Sequence, residues 1–342
     1  MPTIRDVARR AGVAPITVSR VINRAGLVSQ ETRKRVEAAI AELEYVPNVL
    51  ARSLRSKRTN TLALLVTDIT NPFWTTVARG VEDAASECGF SVILCNTDES
   101  EVEQEKYLNV LLQKQVDGFL LVPATSEWDS AEVIQKQGTP VVVMDRRVPR
   151  AQVDVVRSDS EGGAYQLVQV LLNLGHRRIA VLAGPATVST AADRVAGYRR
   201  ALAEAGIDSG AEQVYHGEFT LASGYDMTQH ALSTTPRPTA LFATNNFIGI
   251  GALRALRDAG LRVPEDMALV SFDDLPAELV VDPFLTVAAQ PAYEMGKYAT
   301  ELLLARLNEM GAPTRAEFRE IVLPTQLIIR RSSGPALNPT PS

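Results

Sequence analysis

The chain has 342 residues, of which 46% are hydrophobic and 22% charged, a balance typical of folded globular proteins and not of disordered ones. This length predicts two or three packed units. No stretch approaches the roughly 18 apolar residues of a membrane-spanning helix, and the charged first residues differ from a secretion signal. With two cysteines, Cys88 and Cys95, we expect no disulfide framework and a reducing, cytoplasmic location.

The net charge of −5 is divided unevenly along the chain. Residues 1–60 hold 12 basic and five acidic side chains, which gives +7, and the rest holds 23 basic and 35 acidic ones, which gives −12. A basic segment on an acidic body indicates that the segment alone meets a polyanion such as nucleic acid. Charge alone leaves open an exposed helical surface that is basic without a function.

The basic N-terminal segment predicts three short helices. Thr3 and Asp6 form a variant of the capping box, an apolar face follows at helical spacing, and Gly12 ends the first helix. After a tight turn, Pro15 suits the first position of a second helix, and Ser29 caps a third. This is the plan of a helix-turn-helix, whose second helix enters the major groove of DNA.

Five motifs follow one another in this segment: Ile4-x-Asp6-Val7-Ala8-x-x-Ala11-Gly12-Val13, Thr17-Val18-Ser19-Arg20-Val21-x-Asn23, Val28-Ser29 with Thr32-x-x-x-Val36, Leu43-x-Tyr45-x-Pro47-Asn48, and Ala51-Arg52-Ser53-Leu54. In this order they resemble the lactose/galactose repressor family of bacterial transcription regulators. Such an ordered set over about 55 residues is highly specific.

The resemblance implies which residues bind DNA. Arg20 is expected to donate to guanine O6 and N7, while Pro15 and Ile16 offer apolar contact to base edges. Hydroxyl and amide side chains nearby are expected to hold phosphates and to fix the register without reading sequence. The full set of expected DNA-binding residues is Thr3, Pro15, Ile16, Thr17, Ser19, Arg20, Asn23, Asn48, Ala51 and Leu54.

Residues 48–58 are expected to form a hinge helix and linker. Leu50 and Leu54 share one face of a segment too short to be stable as an isolated helix. The pattern alone favours a linker helix that packs on its neighbour. The resemblance implies instead that paired hinge helices form on the operator and that Leu54 wedges into the minor groove, which kinks the duplex.

Seven apolar runs with strand character occupy the rest of the chain and alternate with helical patterns. They are Leu62–Thr67, Ser91–Asn96, Gly118–Pro123, Val141–Asp145, Ile179–Gly184, Ala240–Thr244 and Ala268–Ser271. This alternation predicts two doubly wound lobes of parallel sheet, with ligand at the carboxyl ends of the strands where the lobes face. The resemblance implies a sensor with the fold of periplasmic sugar-binding proteins.

The expected fold is therefore an all-α helix-turn-helix head followed by an α/β, periplasmic-binding-protein-like sensor of two doubly wound parallel-sheet lobes. Low apolar periodicity and three prolines predict disorder at the end of the chain. The expected bounds are 1–47 for the head, 48–58 for the hinge, 59–331 for the ligand-binding and dimerisation domain (first lobe about 59–158 and 292–319, second lobe about 159–289 and 320–331), and 332–342 for the tail.

Polar and aromatic side chains just past the predicted strands are candidates for ligand contact, because carboxylates accept from sugar hydroxyls, Arg and Asn donate, and aromatic rings cover C–H surfaces. Each has a structural alternative when taken alone: Asp68 could cap a helix, Phe73 could be core, and Arg194 could pair with Asp193. The family positions implied by the resemblance favour a binding role for Phe73, Asp145, Arg194, Phe219, Asn245 and Asp273. Asp68, Asn71 and Arg146, which also follow predicted strands, complete the expected ligand-binding set.

The class of ligand is less constrained. Val188 is aliphatic where purine-sensing members of the resembling family carry arginine, which disfavours a purine, and Asn246 replaces a common family aspartate. A sugar or sugar derivative is favoured. Arg146 and Arg194 together leave an acidic sugar open beside a neutral one.

Enzyme motifs are missing: there is no G-x-G-x-x-G after a strand, no nucleophile elbow and no phosphate loop, and the three histidines form no metal pattern. We expect no enzyme activity, cofactor or metal. The prediction is a repressor that binds a palindromic operator as a homodimer under allosteric control. Two alternatives remain open: a sugar-binding protein whose basic head contacts a membrane or a protein, and a doubly wound enzyme.

Overall fold

The computed structural model describes residues 2–22, 26, 28–46, 58–126, 130–148, 152–207, 214–275, 282–309 and 317–335. The chain divides into two compact units, Met1–Thr59 and Asn60–Ser342. Within the described ranges, no helix combines the length and the apolar character that a membrane span requires.

The described part of the N-terminal unit contains three helices: α1 (Ile4–Ala11), α2 (Pro15–Ile22) and α3 (Gln30–Glu42). Their bounds agree with the sequence prediction because the capping residues act locally. Gly12 ends α1 in the left-handed conformation, with φ of 64°. Ser29 precedes α3, and its hydroxyl accepts a hydrogen bond from the backbone N–H of Thr32.

A small apolar core joins these three helices. Val7 of α1, Val18 and Val21 of α2, and Val36 and Ala39 of α3 are buried in it. These are positions that helical periodicity places on the inner faces. Since α2 is anchored by its two valines, its opposite face is presented outward as one surface.

The first lobe of the larger unit is built on a parallel sheet of six strands: β1 (Thr61–Val66), β2 (Ser91–Asn96), β3 (Gly118–Leu121), β4 (Val141–Met144), β5 (Asp154–Ser158) and β11 (Glu320–Leu323). Their spatial order is β11-β5-β4-β3-β1-β2. One face is covered by α4 (Pro72–Glu87) and α11 (Ala292–Glu309), and the other by α5 (Glu101–Gln113) and α6 (Ser130–Lys136).

The second lobe repeats this plan with β6 (Ile179–Ala183), β7 (Val214–His216), β8 (Ala240–Ala243), β9 (Ala268–Phe272), β10 (Thr286–Ala289) and β12 (Gln326–Ile328). The order is β12-β10-β9-β8-β6-β7, with β12 antiparallel to β10. One face is covered by α7 (Ser160–Asn173) and α8 (Ser189–Glu204), and the other by α9 (Leu221–Ser233) and α10 (Asn246–Asp258). The two predicted doubly wound lobes are thus confirmed.

The seven predicted strands are present, and their bounds differ from the prediction by at most two residues. Five further strands, β5, β7, β10, β11 and β12, were not predicted. They are short, and several are half-exposed, so they lack the continuous apolar run of a buried strand. In β5, Asp154 forms an ion pair with Arg306, and Arg157 forms one with Glu320. These contacts join distant segments, so no local sequence pattern indicates them.

The chain passes between the lobes three times, after β5, after β10 and after β11. The third crossing shows that the predicted boundary between the lobes was wrong, because that prediction assigned all of residues 320–331 to the second lobe. Strand β11 pairs in parallel with β5, with Ile321 opposite Val156, so residues 320–323 belong to the first lobe. The strand has only four residues, too few for its apolar pattern to identify its sheet.

The predicted disordered tail is also corrected at its start. Arg331–Ser333 form a 3₁₀ turn in which Ser332 and Ser333 are buried. The Ser332 hydroxyl donates to the carbonyl of Leu269 at 2.6 Å and accepts from the Thr286 N–H at 2.8 Å. These hydrogen bonds fix the turn against the second sheet. Residues 336–342 lie outside the described part of the chain.

Candidate DNA-binding face and ligand cavity

The outward side of α2 carries residues expected to contact DNA. With Val18 and Val21 buried beneath it, Ile16 is left 51% exposed. A helix held in this way can enter a groove with its exposed residues as a unit. The expected contact residues on α2 are exposed or half-buried: Pro15, Ile16, Thr17, Ser19 and Arg20.

Thr3 lies at the N-terminus of α1. Its backbone N–H donates to the Asp6 carboxylate at 2.9 Å, and its hydroxyl donates to the same oxygen at 2.7 Å. These hydrogen bonds lower the pKa of Asp6. Thr3 is therefore a capping residue with an exposed position, and a DNA contact from it stays a prediction.

Four expected DNA-binding residues lie outside the described residues: Asn23, Asn48, Ala51 and Leu54. The expectations for the hinge over residues 48–58, including the Leu54 wedge, therefore stay predictions.

One cavity of about 600 Å³ lies between the two lobes of the larger unit. It opens at the carboxyl ends of the parallel strands, where this topology places ligands. All nine residues proposed from the sequence line it. The first lobe supplies Asp68, Asn71, Phe73, Asp145 and Arg146, and the second supplies Arg194, Phe219, Asn245 and Asp273.

Two buried aspartates border the cavity from opposite lobes. Asp145 follows β4 and Asp273 follows β9, and both have left-handed backbones, with φ of 63° and 64°, which aspartate tolerates better than most residues. Burial raises the pKa of both carboxyls, that of Asp145 to about 6, and the charge of Arg194 partly opposes this shift. A hydrogen-bond donor on a ligand stabilises the ionised forms.

Arg194, on α8, is buried beside these carboxylates. Its Nη1 donates to the Thr244 carbonyl at 2.7 Å and lies 4.0 Å from Asp273 Oδ2. The guanidinium carbon lies 3.8 Å from the centre of the Phe272 ring, a cation–π contact. Arg194 Nε has no hydrogen-bond partner within the described structure, so it can donate to a ligand.

Arg146 is held differently. Its Nη1 and Nη2 donate to the two carboxylate oxygens of Glu99 at 2.6 and 2.7 Å, a bidentate pair. Nη1 also donates to the carbonyls of Pro123 and Ala124. Burial lowers the pKa of Arg146, but the charge and hydrogen bonds of Glu99 more than offset that effect and raise it. The guanidinium thus joins the segments that follow β2, β3 and β4.

Two asparagines connect the lobes at one edge of the cavity. Asn71 Nδ2 donates to Asn246 Oδ1 at 3.0 Å, and Asn246 Nδ2 donates to Asn71 Oδ1 at 2.9 Å. Asn71 also caps α4, and Asn246 is the first residue of α10. The amide that replaces the common family aspartate thus completes a reciprocal, uncharged bridge.

Aromatic rings supply apolar walls. Phe73 and Trp74 pack edge to face, with ring centroids 4.7 Å apart. Across the cavity, Phe219 lies against Gly184, where an added Cβ would come within 2.3 Å of the ring. The ring of Phe219 is also 5.9 Å from the Arg146 guanidinium. Flat apolar faces beside charged groups suit the C–H surfaces of a sugar.

Part of the lining was not predicted from the sequence: Thr67, Thr70, Trp74, Asp98, Glu99, Thr190, Glu218, Thr220 and Gln290. Asp98 and Glu99 follow β2, so the strand-end rule could have found them. Gln290 follows β10, which was not predicted as a strand; its Nε2 donates to Asp273 Oδ1 at 2.6 Å.

Several buried polar atoms at the cavity have no hydrogen-bond partner within the described structure. They include the acceptors Asp145 Oδ1 and Gln290 Oε1 and the donors Arg146 Nε and Arg194 Nε. Buried polar groups are normally satisfied, so these atoms require polar partners from water or from a ligand. No group of metal-binding side chains was found among the described residues.

A helix-turn-helix unit joined to a two-lobed domain with a polar cavity defines a DNA-binding protein regulated by a small molecule. Two family models match: "Bacterial regulatory proteins, lacI family" over residues 3–48, and "Periplasmic binding proteins and sugar binding domain of LacI family" over residues 59–331. The chain belongs to the LacI family of bacterial regulatory proteins.

Similar proteins agree with this assignment. The ribose operon repressor of Escherichia coli strain K12 is 38% identical, over 98% of this chain and 100% of the relative. A transcriptional regulator CelR–cellobiose complex is 38% identical with a TM-score of 0.73, over 98% of this chain and 100% of that one. The lac repressor dimer bound to operator and the anti-inducer ONPF is 28% identical with a TM-score of 0.83, over 97% of this chain and 99% of that chain. The chain is a DNA-binding transcription repressor under small-molecule control and not an enzyme.

Proposed function

We propose that this repressor acts in the cytoplasm as a homodimer, binds a palindromic operator through α2 and the hinge, and senses a sugar in the cavity between its lobes. One observation carries the proposal. The nine residues proposed from the sequence line one cavity, in which several buried donors and acceptors have no hydrogen-bond partner within the described structure. A palindromic site suits a protein with two-fold symmetry.

A sugar accounts for the cavity better than a nucleobase does. Carboxylates, guanidinium groups and aromatic rings line it together, as needed for a ligand with many hydroxyls and apolar C–H surfaces. Val188, buried at the start of α8, offers no hydrogen-bond donor to a purine. The cellobiose complex and the ribose operon repressor among the similar proteins support the same class of effector.

Control requires that the sugar binds two arrangements of the lobes with different affinities. A sugar in contact with both Asp145 and Asp273 favours one arrangement of the lobes. We propose that this arrangement determines whether the segment 48–58 of each protomer can form its helix on the operator. The coupling free energy between such sites is typically 1–3 kcal/mol.

The proposal is tested by titrating the full chain with a palindromic DNA selected from random sequence and with a scrambled duplex of the same composition. Wild-type protein is expected to prefer the palindrome by at least about 1000-fold. Arg20→Ala should reduce this preference by about 1–3 kcal/mol, because a base contact is lost. Arg35→Ala, which removes an exposed charge from α3, should weaken both affinities and leave their ratio unchanged.

Equal loss of both affinities in Arg20→Ala would make Arg20 a phosphate contact. Equal affinity of the wild-type protein for every duplex would refute operator recognition itself. The sugar part is tested separately by a thermal-shift screen of sugars, sugar acids and nucleobases, since a tight ligand stabilises by mass action. Stabilisation by nucleobases alone would refute a sugar effector.

A further inference from the structure

The two arginines at the cavity decide whether its ligand can carry a negative charge. A guanidinium with free N–H groups binds a carboxylate in a bidentate fashion, so Arg146 and Arg194 together suggest a sugar acid. What matters is how many of these N–H groups the protein itself already uses.

Arg146 is committed to protein partners. Glu99 takes both terminal nitrogens, and the carbonyls of Pro123 and Ala124 accept further hydrogen bonds from Nη1. Only 2% of the Arg146 side chain is exposed. Its Nε is the one nitrogen of Arg146 without a hydrogen-bond partner in the described structure. A single donor cannot form a bidentate contact with a ligand carboxylate.

Arg194 is also balanced by acids. Its Nη1 donates to the Thr244 carbonyl and lies near Asp273, while its Nε has no hydrogen-bond partner in the described structure. Arg194 therefore keeps a donor for a ligand, and what opposes a ligand carboxylate here is the negative charge of Asp145 and Asp273, on which the guanidinium already acts. A ligand carboxylate placed here meets two buried carboxylates together with one guanidinium. Like charges in a buried site repel strongly, and an added anion would lack a counter-charge of its own.

The charges of the residues that line the cavity also disfavour an anionic ligand. Its described lining holds six acidic side chains, Asp68, Asp98, Glu99, Asp145, Glu218 and Asp273, and two basic ones, Arg146 and Arg194. Hydroxyl groups can donate to the free carboxylate oxygens, whereas a sugar carboxylate can only accept.

We infer that the cavity selects an uncharged sugar over the corresponding sugar acid, and that Glu99 is the specificity-determining residue because it occupies the guanidinium of Arg146. This inference rests on the proposed sugar-sensing function and deepens it. It answers the alternative that the sequence left open. Removal of the Glu99 charge should free Arg146 for a ligand carboxylate.

The experiment measures binding of matched pairs, D-glucose with D-glucuronate and D-galactose with D-galacturonate, by calorimetry on the full chain at about pH 7.5, where the acids are ionised. Wild-type protein is expected to prefer the neutral member of a pair by at least about tenfold. In Glu99→Gln the acid should gain about tenfold relative to its neutral partner. Glu218→Gln is the matched control, because it removes one acidic charge from the same cavity and leaves the Arg146–Glu99 pair intact.

The double variant Glu99→Gln/Arg146→Gln provides a second test that does not leave an unpaired buried arginine. It should keep the wild-type preference for the neutral sugar. Acid preference in the wild-type protein would overturn the inference and leave sugar sensing intact. An equal gain for the acid in Glu99→Gln, Glu218→Gln and the double variant would overturn the role of Arg146. If neither neutral sugars nor acids bind any of these proteins, while the thermal-shift screen finds a ligand that is not a sugar, the proposed function fails and the inference fails with it.

Discussion

The two lobes of the sensor have the same strand order, yet they hold equivalent aspartates differently. Asp145 and Asp273 each follow the fourth strand of their sheet with nearly the same backbone conformation. Asp273 Oδ1 accepts a hydrogen bond from Gln290, whereas Asp145 Oδ1 has no partner within the described structure. The repeated fold thus fixes the position of each carboxylate, while its neighbours determine its hydrogen bonding. Asp273 is oriented by Gln290 without a ligand, and we infer that Asp145 Oδ1 accepts a hydrogen bond from the sugar.

Replacement of Arg194, which lies beside both aspartates, should have the largest effect on sugar affinity. Arg194→Met leaves Asp273 without the cation that opposes its burial, leaves Asp145 with Arg146 alone, and removes charge-assisted donors to the ligand. We expect a loss of about 4 kcal/mol in sugar binding, roughly a thousandfold, measured by calorimetry. Arg200→Met is the control, because Arg200 lies on the same helix but pairs with Glu161 outside the cavity. A comparable loss in both variants would contradict a direct role for Arg194.

The pH dependence of the free energy of unfolding tests how the first lobe holds Asp145. Asp145 has a pKa of about 6, raised by burial from 3.8, so the folded state binds its proton more tightly than the unfolded state. Its contribution to stability is therefore fully present below about pH 3.8 and is lost as the pH rises through about 6. Relative to the wild-type protein, Asp145→Asn should gain up to about 3 kcal/mol between about pH 4 and 7, measured by urea denaturation.

A control of opposite sign is available on the surface. Arg262 lowers the pKa of Asp266 by hydrogen bonding, so Asp266→Asn should lose stability relative to the wild-type protein as the pH rises. A pH-independent difference between Asp145→Asn and the wild-type protein would mean that the first lobe does not hold a poorly solvated carboxyl.

The pre-organised aspartate should matter more for sugar affinity than its counterpart. Asp273→Asn is expected to weaken sugar binding about tenfold and Asp145→Asn about threefold, because Asp273 is already oriented by Gln290 before the ligand arrives. Asparagine accepts the left-handed backbone, so the fold is kept. Asp274→Asn, which alters a pair with Arg330, should leave sugar affinity unchanged. Equal effects of the two cavity variants would remove the distinction between the lobes.

The smallest effect is expected at the bridge between the lobes. Asn246→Asp keeps the hydrogen bond from Asn71 Nδ2 but loses the one that Asn246 donates in return. We expect a loss of about 1 kcal/mol in stability, reduced by the favourable position of an acid at the N-terminus of α10, in chemical denaturation. Asn71→Asp loses the opposite member of the pair and should show a similar loss. No change in either variant would show that the bridge does not hold the lobes together.

The sequence predicted the head well because its signals are local. Pro15 and Ser29 set helix starts, Gly12 sets an end, and the contact face follows from the period of one helix. The seven apolar strands could also be predicted from their hydrophobic runs. The nine cavity residues were chosen partly because they follow strand ends and partly through the family resemblance, which was needed for Arg194 because it lies within α8.

The parts that the sequence did not predict depend on contacts between distant segments. Arg146 and Glu99 are 47 residues apart, and no pattern indicates that one takes the hydrogen bonds of the other. Gln290 follows a strand without a clear apolar run, and the sheet to which β11 belongs is decided by its pairing with β5. Burial of Ser332 likewise depends on a carbonyl 63 residues earlier in the chain.

The central claim is that a sugar held between the lobes and the operator held by the head act on one equilibrium. The most direct test measures the affinity for the most stabilising sugar of the screen, first with the free protein and then with the protein saturated with operator DNA. We expect operator DNA to change the sugar affinity by the same factor by which the sugar changes the operator affinity, up to roughly 150-fold. Identical sugar affinity with and without operator would contradict it.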